Sequence, residues 1–142
     1  METPLLRALN EPAISAYERE DVSALPGLRA LGAVMALHGI ARNGGLVGGA
    51  IENLFVGRRG QAVDDAIDGF VWLDLDDVAE LIARARDAYL LSRPTGSEDL
   101  SDDDAALWEQ LDAAFFDIAP SARLEVAVTA RLQAIAPELG SS

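Results

Sequence analysis

The apolar residues of this chain recur every three to four positions, and this spacing constrains the fold more than any other feature. Between Leu25 and Arg42 they cover most of a helix circumference, which is typical of a central, buried helix. Period-two alternation of β-branched residues, the mark of a strand, is scarce. The sequence therefore predicts an all-α protein, a single compact domain over residues 1–142 with about seven to eight helices.

Prolines and glycines give the expected helix boundaries. Proline in a first turn predicts one helix over residues 4–9 and a second over residues 12–21. These two make residues 1–24 an N-terminal helical part, and residues 25–136 form the helical core. The core helices are expected over residues 25–42, 46–56, 61–72, 75–91, 101–118 and 120–136.

Local signals predict how two of these helices begin and which sides they bury. Asp74 is a good N-cap for the helix that follows it, because an aspartate oxygen can accept an exposed backbone N–H. Ser101 and Asp104 fit a capping pattern at the start of the next helix. We expect Val71 and Leu107 on the core sides of their helices.

Glycines cluster in and after the most apolar helix. Gly32 and Gly39 lie seven residues apart on one face, where we expect both to admit a close neighbour. Asn43, Gly44 and Gly45 should end the helix, since glycine tolerates the left-handed C-cap conformation. A phosphate-binding Walker loop is excluded because it needs a lysine, and the chain contains none.

The net charge is strongly negative and unevenly distributed. The chain carries 24 acidic residues and 11 basic residues, all arginine, for a formal net charge of -13. Residues 1–60 are neutral, with six acids and six arginines, so the whole excess lies in residues 61–142. A direct nucleic-acid binder needs cations, and an anionic membrane would repel this chain. The asymmetry favours a localised anionic surface over a bias of the whole proteome.

The expected location is cytoplasmic. The opening residues, Met1 to Pro4, are acidic, whereas a signal peptide has a positive region before a long apolar run. The most apolar stretch, residues 30–37, has eight residues, and about 20 would be needed to span a bilayer.

Catalysis, cofactors and metals are not expected. There is no cysteine, no G-x-S-x-G motif, and one histidine, His38, lies in the most apolar helix. A lone histidine in such surroundings is typical of a hydrogen-bonded core or boundary residue. The aspartate runs at residues 74–77 and 102–104 lack the glycine and terminal glutamate of a calcium loop. We therefore expect a non-enzymatic protein.

The acidic segment itself is the candidate binding surface. Residues four apart on a helix lie about 6 Å apart along its axis, so Asp76 and Glu80 share a face, and Glu109 and Asp112 lie one turn apart. Such rows would attract a protein built to bind DNA phosphates, although stabilised helix starts and solubility also explain acids here. The aspartates expected as phosphate surrogates are Asp64, Asp65, Asp68, Asp74, Asp76, Asp77, Asp102, Asp103 and Asp104.

The segment over residues 37–46 resembles the signature of a bacterial all-helical family, catalogued mainly as a domain of unknown function, that contains a DNA-mimic protein. A second asparagine, Asn53, and the segments 70–75, 79–82 and 111–116 are similar as well, so the likeness covers about residues 25–132. The resemblance implies a helical protein that binds a DNA-binding protein or regulator through carboxylates, and it suggests a homodimer. The residues that match the signature are Asn43, Gly44, Gly45 and Leu46.

Three functions are compatible with these features. The leading hypothesis is a DNA mimic that occupies the basic site of a DNA-binding protein. The second is an immunity-type protein that neutralises a co-encoded toxin. The third is a small-ligand-binding domain, which requires a concave pocket lined by His38 and Asn43.

Overall fold

Helix α2 (Pro26–Gly44) lies at the centre of the protein, as its sequence predicts. In this computed structural model, Leu31, Val34 and Leu37 on α2 are almost fully buried. The structure describes residues 3–95 and 98–140, so residues 1–2, 96–97 and 141–142 of the expected domain lie outside the description.

Nine α-helices and one π-helical turn lie within the described residues, where there is no strand, and the all-α prediction is confirmed. Helices α1 and α4 pack against α2, and α5 packs between α4 and α6. One hydrophobic core connects the helices. Besides α2, the elements are α1 (Pro4–Glu18), the π-helical turn (Leu46–Ile51), α3 (Glu52–Val56), α4 (Gln61–Trp72), α5 (Asp76–Ser92), α6 (Asp102–Ile118), α7 (Ser121–Ala130), α8 (Leu132–Ile135) and α9 (Pro137–Gly140).

The N-terminal residues form one helix, α1, and the prediction of two helices was wrong. Pro12 lies inside α1 and cannot donate to the carbonyl of Ala8. Both residues are exposed, so water can bond to that carbonyl. The buried side of the helix continues past the proline through Leu9 and Ala13, and its packing on α2 favours a continuous helix.

The single helix predicted over residues 120–136 is divided into two, α7 and α8, and a third helix, α9, follows it. Helix α7 ends before Arg131, whose φ of -120° is not helical, and α8 ends before Ala136. The break allows both Val128 and Ile135 to be almost fully buried. Pro137 stops α8, as expected, and then begins α9, because its fixed φ suits the first turn of a helix.

The two glycines of α2 differ in their surroundings. A Cβ at Gly32 would lie 2.1 Å from the carbonyl oxygen of Ala13, so α1 and α2 touch there, as predicted. A Cβ at Gly39 would meet no described atom within 4 Å. The prediction of a close neighbour at Gly39 was therefore wrong, and this position faces open space.

A side chain caps the start of α6, but no side chain caps the start of α5. Ser101 caps α6 as predicted, since its Oγ accepts the N–H of Asp104 at 3.1 Å. Asp74 does not cap α5. It has a left-handed φ of 64° in the turn after α4, a conformation that aspartate tolerates, and Leu75 occupies the N-cap position without a side-chain hydrogen bond.

Candidate functional site

Helices α4, α5 and α6 lie side by side in alternating directions and carry the acidic residues. Asp64 near the start of α4 pairs with Arg86 in the second half of α5, at 2.8 Å. At the other end of α5, Asp77 binds Arg123, which also donates to the carbonyl of Ile118 at the end of α6, at 2.8 Å. Both neighbours of α5 therefore run antiparallel to it.

The three aspartates of α4 have different surroundings. Asp64 forms the ion pair with Arg86. Asp65 accepts the hydroxyl of Tyr17 at 2.7 Å and the amide of Gln61 at 3.1 Å. Burial and the hydrogen bond to Asp65 raise the pKa of the Tyr17 hydroxyl, so the tyrosine stays neutral and donates. Asp64 and Asp65 thus hold α4 against α5 and α1.

Asp68 is exposed and forms no ion pair with a described residue. It lies beside Asp65 in the wall of a groove of about 450 Å³ between α4 and the α1–α2 segment. Tyr17, Trp72 and Arg29 also line this groove. Carboxylates beside aromatic rings form surroundings that suit a cationic side chain.

The aspartates around the start of α5 are all exposed. Asp77 accepts two hydrogen bonds from the Arg123 guanidinium, at 2.8 and 3.0 Å. These bonds are the main reason why the pKa of Asp77 lies below its ordinary value. Asp74 and Asp76 have no cationic partner in the described chain.

The aspartates at the start of α6 lie at the opposite end of α5. The rings of Trp108 on α6 and Tyr89 near the end of α5 are 5.9 Å apart, which places residues 102–104 beside that end. Asp102 and Asp103 are exposed and Asp104 is half-buried. Residues 3–95 and 98–140 provide no ion-pair partner for any of the three.

The predicted phosphate surrogates therefore lie in separate groups. Helix α5 has 17 residues, so its two ends, and the acidic groups beside them, are about 25 Å apart. Six of the nine carboxylates have no ion pair or side-chain hydrogen bond within the described residues and can interact with a partner's cations. These six are Asp68, Asp74, Asp76, Asp102, Asp103 and Asp104.

Asp112, expected in the exposed acidic rows, is half-buried and bonds to the backbone of a distant segment. Its Oδ1 accepts the backbone N–H groups of Leu46 and Val47, both at 2.8 Å. Gly45, at a φ of 95°, ends α2, and a Cβ there would lie 2.6 Å from Asp112 Oδ2. Of the four signature residues, Gly45 and Leu46 therefore belong to this contact between the π-helical turn and α6.

Asn43 and Gly44, the other two signature residues, lie at the end of α2. The side-chain amide of Asn43 donates to the carbonyl of Gly39 at 3.1 Å. A Cβ on Gly44 would meet only the Cα of Gly49, at 3.6 Å, whereas a Cβ on Gly49 would lie 2.5 Å from the backbone of Gly44, so close packing here requires glycine at position 49. Gly45 therefore ends α2, as predicted, and Gly49 permits close contact with the end of that helix.

His38 is 6% exposed, in accordance with its predicted place in the core. Its Nε2 lies 2.8 Å from the carbonyl oxygen of Ala119, and because a carbonyl can only accept, Nε2 is the donor. His38 and Asn43 also line a cavity of about 280 Å³ between α1, α2 and the start of α7. The concave pocket that the small-ligand hypothesis requires is thus present. Sequence analysis did not identify its other polar residues, which include Asn10, Arg42 and Ser121.

The described residues contain no group of three or more acidic or histidine side chains that could hold a metal ion. In the same part of the chain, no helix is both long enough and apolar enough to cross a membrane.

Comparison with known proteins identifies a family. A family model described as DMP19-like protein matches residues 23–133, which is most of the chain. The matched range contains α2, the three acidic helices and the contact made by Asp112. No curated protein and no solved structure matches the chain.

Proposed function

Because this chain belongs to the DMP19-like protein family, we propose that it is a non-enzymatic, acidic protein-binding domain that acts as a DNA mimic. In this proposal it occupies the DNA-binding site of a basic DNA-binding protein or regulator. The binding groups are carboxylates on α4, α5 and α6, and no cofactor takes part.

The concentration of unpaired negative charge on these three helices carries the proposal. Residues 61–118 contain sixteen acids and three arginines, a net charge of -13 that equals the charge of the whole chain. Two of these arginines, Arg86 and Arg93, already pair with carboxylates of the same protein. Within the described residues, three of the sixteen acids, Asp64, Asp77 and Asp87, form ion pairs, and most of the others are available to cations from outside.

Like charges held close together destabilise a fold through repulsion. Ser101 already caps α6, and three acids, Asp102, Asp103 and Asp104, follow it in the first turn. A surface built to replace DNA phosphates gives a reason for keeping them, since a protein that binds DNA presents arginine and lysine side chains at matching positions.

The groove beside Asp68, which Arg29 also lines, is a place where such a side chain could enter. A guanidinium there would meet the unpaired carboxylate of Asp68 beside the ring of Trp72, which already holds one guanidinium, that of Arg131, 5.4 Å from its centroid. A partly desolvated arginine between acids and an aromatic ring is typical of an interface hot spot. The exposed aspartates at the two ends of α5 would then add long-range attraction.

Capture of partners on the immobilised protein from the lysate of its own cells tests this function. We expect a basic DNA-binding protein that a salt gradient releases, because ion pairs between exposed groups are screened by salt. Duplex DNA at constant salt should release it too. A captured protein that keeps its DNA while bound to this chain would contradict mimicry, and capture of a co-encoded toxin instead would favour the immunity function.

Charge-matched variants locate the surface. The double variant Asp102→Asn/Asp103→Asn should weaken capture, as should Asp76→Asn/Glu80→Gln at the other end of α5. The control Glu11→Gln/Asp21→Asn changes the net charge by the same amount in the neutral segment, residues 1–60. Equal weakening by the control would mean that overall charge, and not this surface, attracts the partner.

A further inference from the structure

The cavity between α1, α2 and α7 contains a cation without an acidic partner. Arg42 lies in its wall, and no carboxylate of residues 3–95 or 98–140 lies within 4 Å of the Arg42 guanidinium. One of its nitrogens donates to the hydroxyl of Ser121. A guanidinium has five N–H donors, so the others remain available to a ligand.

Other polar groups surround this arginine. The side chain of Asn10 lines the cavity and makes no hydrogen bond within the described residues. Asn43 lies beside Arg42, and Ser121 is the first residue of α7, where the positive end of the helix dipole favours an anion. No aspartate or glutamate belongs to the described lining. The electrostatics of the wall therefore favour a negative group.

The rest of the lining is apolar. Leu6, Met35 and Leu124 lie in the wall and are buried among the core residues. The volume, about 280 Å³, is near the lower end of small-molecule sites. A ligand that matches this lining has one anionic group and a small hydrocarbon body.

Gly39 gives a second, independent observation. A glycine inside a helix is less favourable than alanine, and close packing usually explains its presence. Here a Cβ would meet nothing within 4 Å, and the open space belongs to the cavity, whose lining includes Gly39. A larger side chain would fill the space that a ligand would occupy.

We propose that this cavity binds a small organic monocarboxylate, with its carboxylate on Arg42 and its hydrocarbon part against Leu6, Met35 and Leu124. The ligand class follows from the unpaired Arg42 guanidinium, the absence of acids in the described lining and the apolar residues of that lining. This site is separate from the acidic helices and does not depend on the proposed DNA mimicry.

Titration of the ¹⁵N-labelled protein with isocaproate and with benzoate tests the proposal. We expect saturable shifts of backbone amide resonances at Gly39, Arg42, Asn43 and Leu124. The neutral analogues isocaproamide and benzamide should bind at least tenfold more weakly, because they cannot form a charge-assisted pair with the guanidinium. No saturable shifts with either acid, or equal binding of the amides, would overturn the assignment.

Three variants separate ligand binding from folding. Arg42→Gln should weaken binding of the acids by about tenfold or more, the usual effect of losing a hydrogen bond to a charged group. Gly39→Leu should abolish binding, and it should still fold because the added atoms enter open space. The control Arg84→Gln removes an exposed arginine that does not line the cavity and should leave binding unchanged. Unaltered affinity in folded Arg42→Gln would contradict the proposal.

Discussion

The carboxylate of Asp112 lies 2.8 Å from the backbone nitrogen of Leu46, a residue 66 positions earlier in the chain. The same oxygen accepts the N–H of Val47, and Leu46 and Val47 are both fully buried. Asp112 thereby satisfies two backbone donors at the start of the π-helical turn, which water cannot reach. One acid from the most acidic part of the chain is therefore structural.

We expect Asp112→Ala to lower the free energy of unfolding by about 2–3 kcal/mol, because it leaves two buried N–H groups without an acceptor. Chemical denaturation measures this change. The control is Asp117→Ala on the same helix, which removes an exposed acid near the helix end and should change stability by less than about 0.5 kcal/mol. Equal losses in the two variants would contradict the structural role of Asp112.

Replacing Gly32 and Gly39 of α2 by alanine should change the stability of the protein in opposite directions. Gly32→Ala places a Cβ 2.1 Å from the carbonyl oxygen of Ala13, so α1 must move, and we expect a loss of about 2 kcal/mol or more. Gly39→Ala meets no neighbour and should stabilise the protein by about 0.5–1 kcal/mol through its higher helix propensity. Thermal unfolding distinguishes the two, and destabilisation by Gly39→Ala would show that its surroundings are closed.

The pair between Asp77 and Arg123 predicts a pH-dependent contribution to stability. The hydrogen bond from Arg123 lowers the pKa of Asp77 in the folded protein, so the stabilisation is present above the ordinary aspartate pKa of about 3.9 and is lost as the pH falls below it. Both side chains are substantially exposed, and we therefore expect only about 0.5–1 kcal/mol from the pair and the helix dipole.

Unfolding of Asp77→Asn at neutral pH and near pH 2 measures this contribution. The variant should be less stable than the natural protein at neutral pH, and the difference should disappear in acid. Asp76→Asn is the matched control, because Asp76 occupies the same helix start but has no arginine partner among the described residues. A difference that persists in acid would mean that the ion pair is not its source.

Features that depend on nearby residues could be predicted from the sequence. The bounds of α4 and the Ser101 cap of α6 agree with prediction, because apolar spacing and a serine before an acidic turn are local signals. The end of α2 at Gly45 could also be predicted from a local signal, because the positive φ there requires glycine.

Features that depend on packing could not be predicted. Val71 is 52% exposed and Leu107 is 38% exposed, although both were expected to face the core. Their orientation follows from how α4 and α6 rotate against α5, which spacing does not determine. The hydrogen bond between Asp112 and Leu46 joins residues 66 positions apart, so no local sequence pattern predicts it. The open space at Gly39 depends in the same way on where α1 and α7 lie.

The sequence also could not predict which acidic residues form ion pairs. The sequence predicted nine aspartates as a binding surface. The structure adds that Asp64 and Asp77 pair with Arg86 and Arg123. Because these arginines come from other helices or from a distant position in the chain, spacing alone could not separate the paired carboxylates from the unpaired ones.

Competition between this protein and duplex DNA for a captured DNA-binding partner tests DNA mimicry most directly. Binding of the partner to labelled DNA should fall as this protein is added, and the competition should weaken as salt rises. The variant Asp102→Asn/Asp103→Asn should compete less well than the charge-matched control Glu11→Gln/Asp21→Asn. A ternary complex of this protein, its partner and DNA would contradict the proposed function.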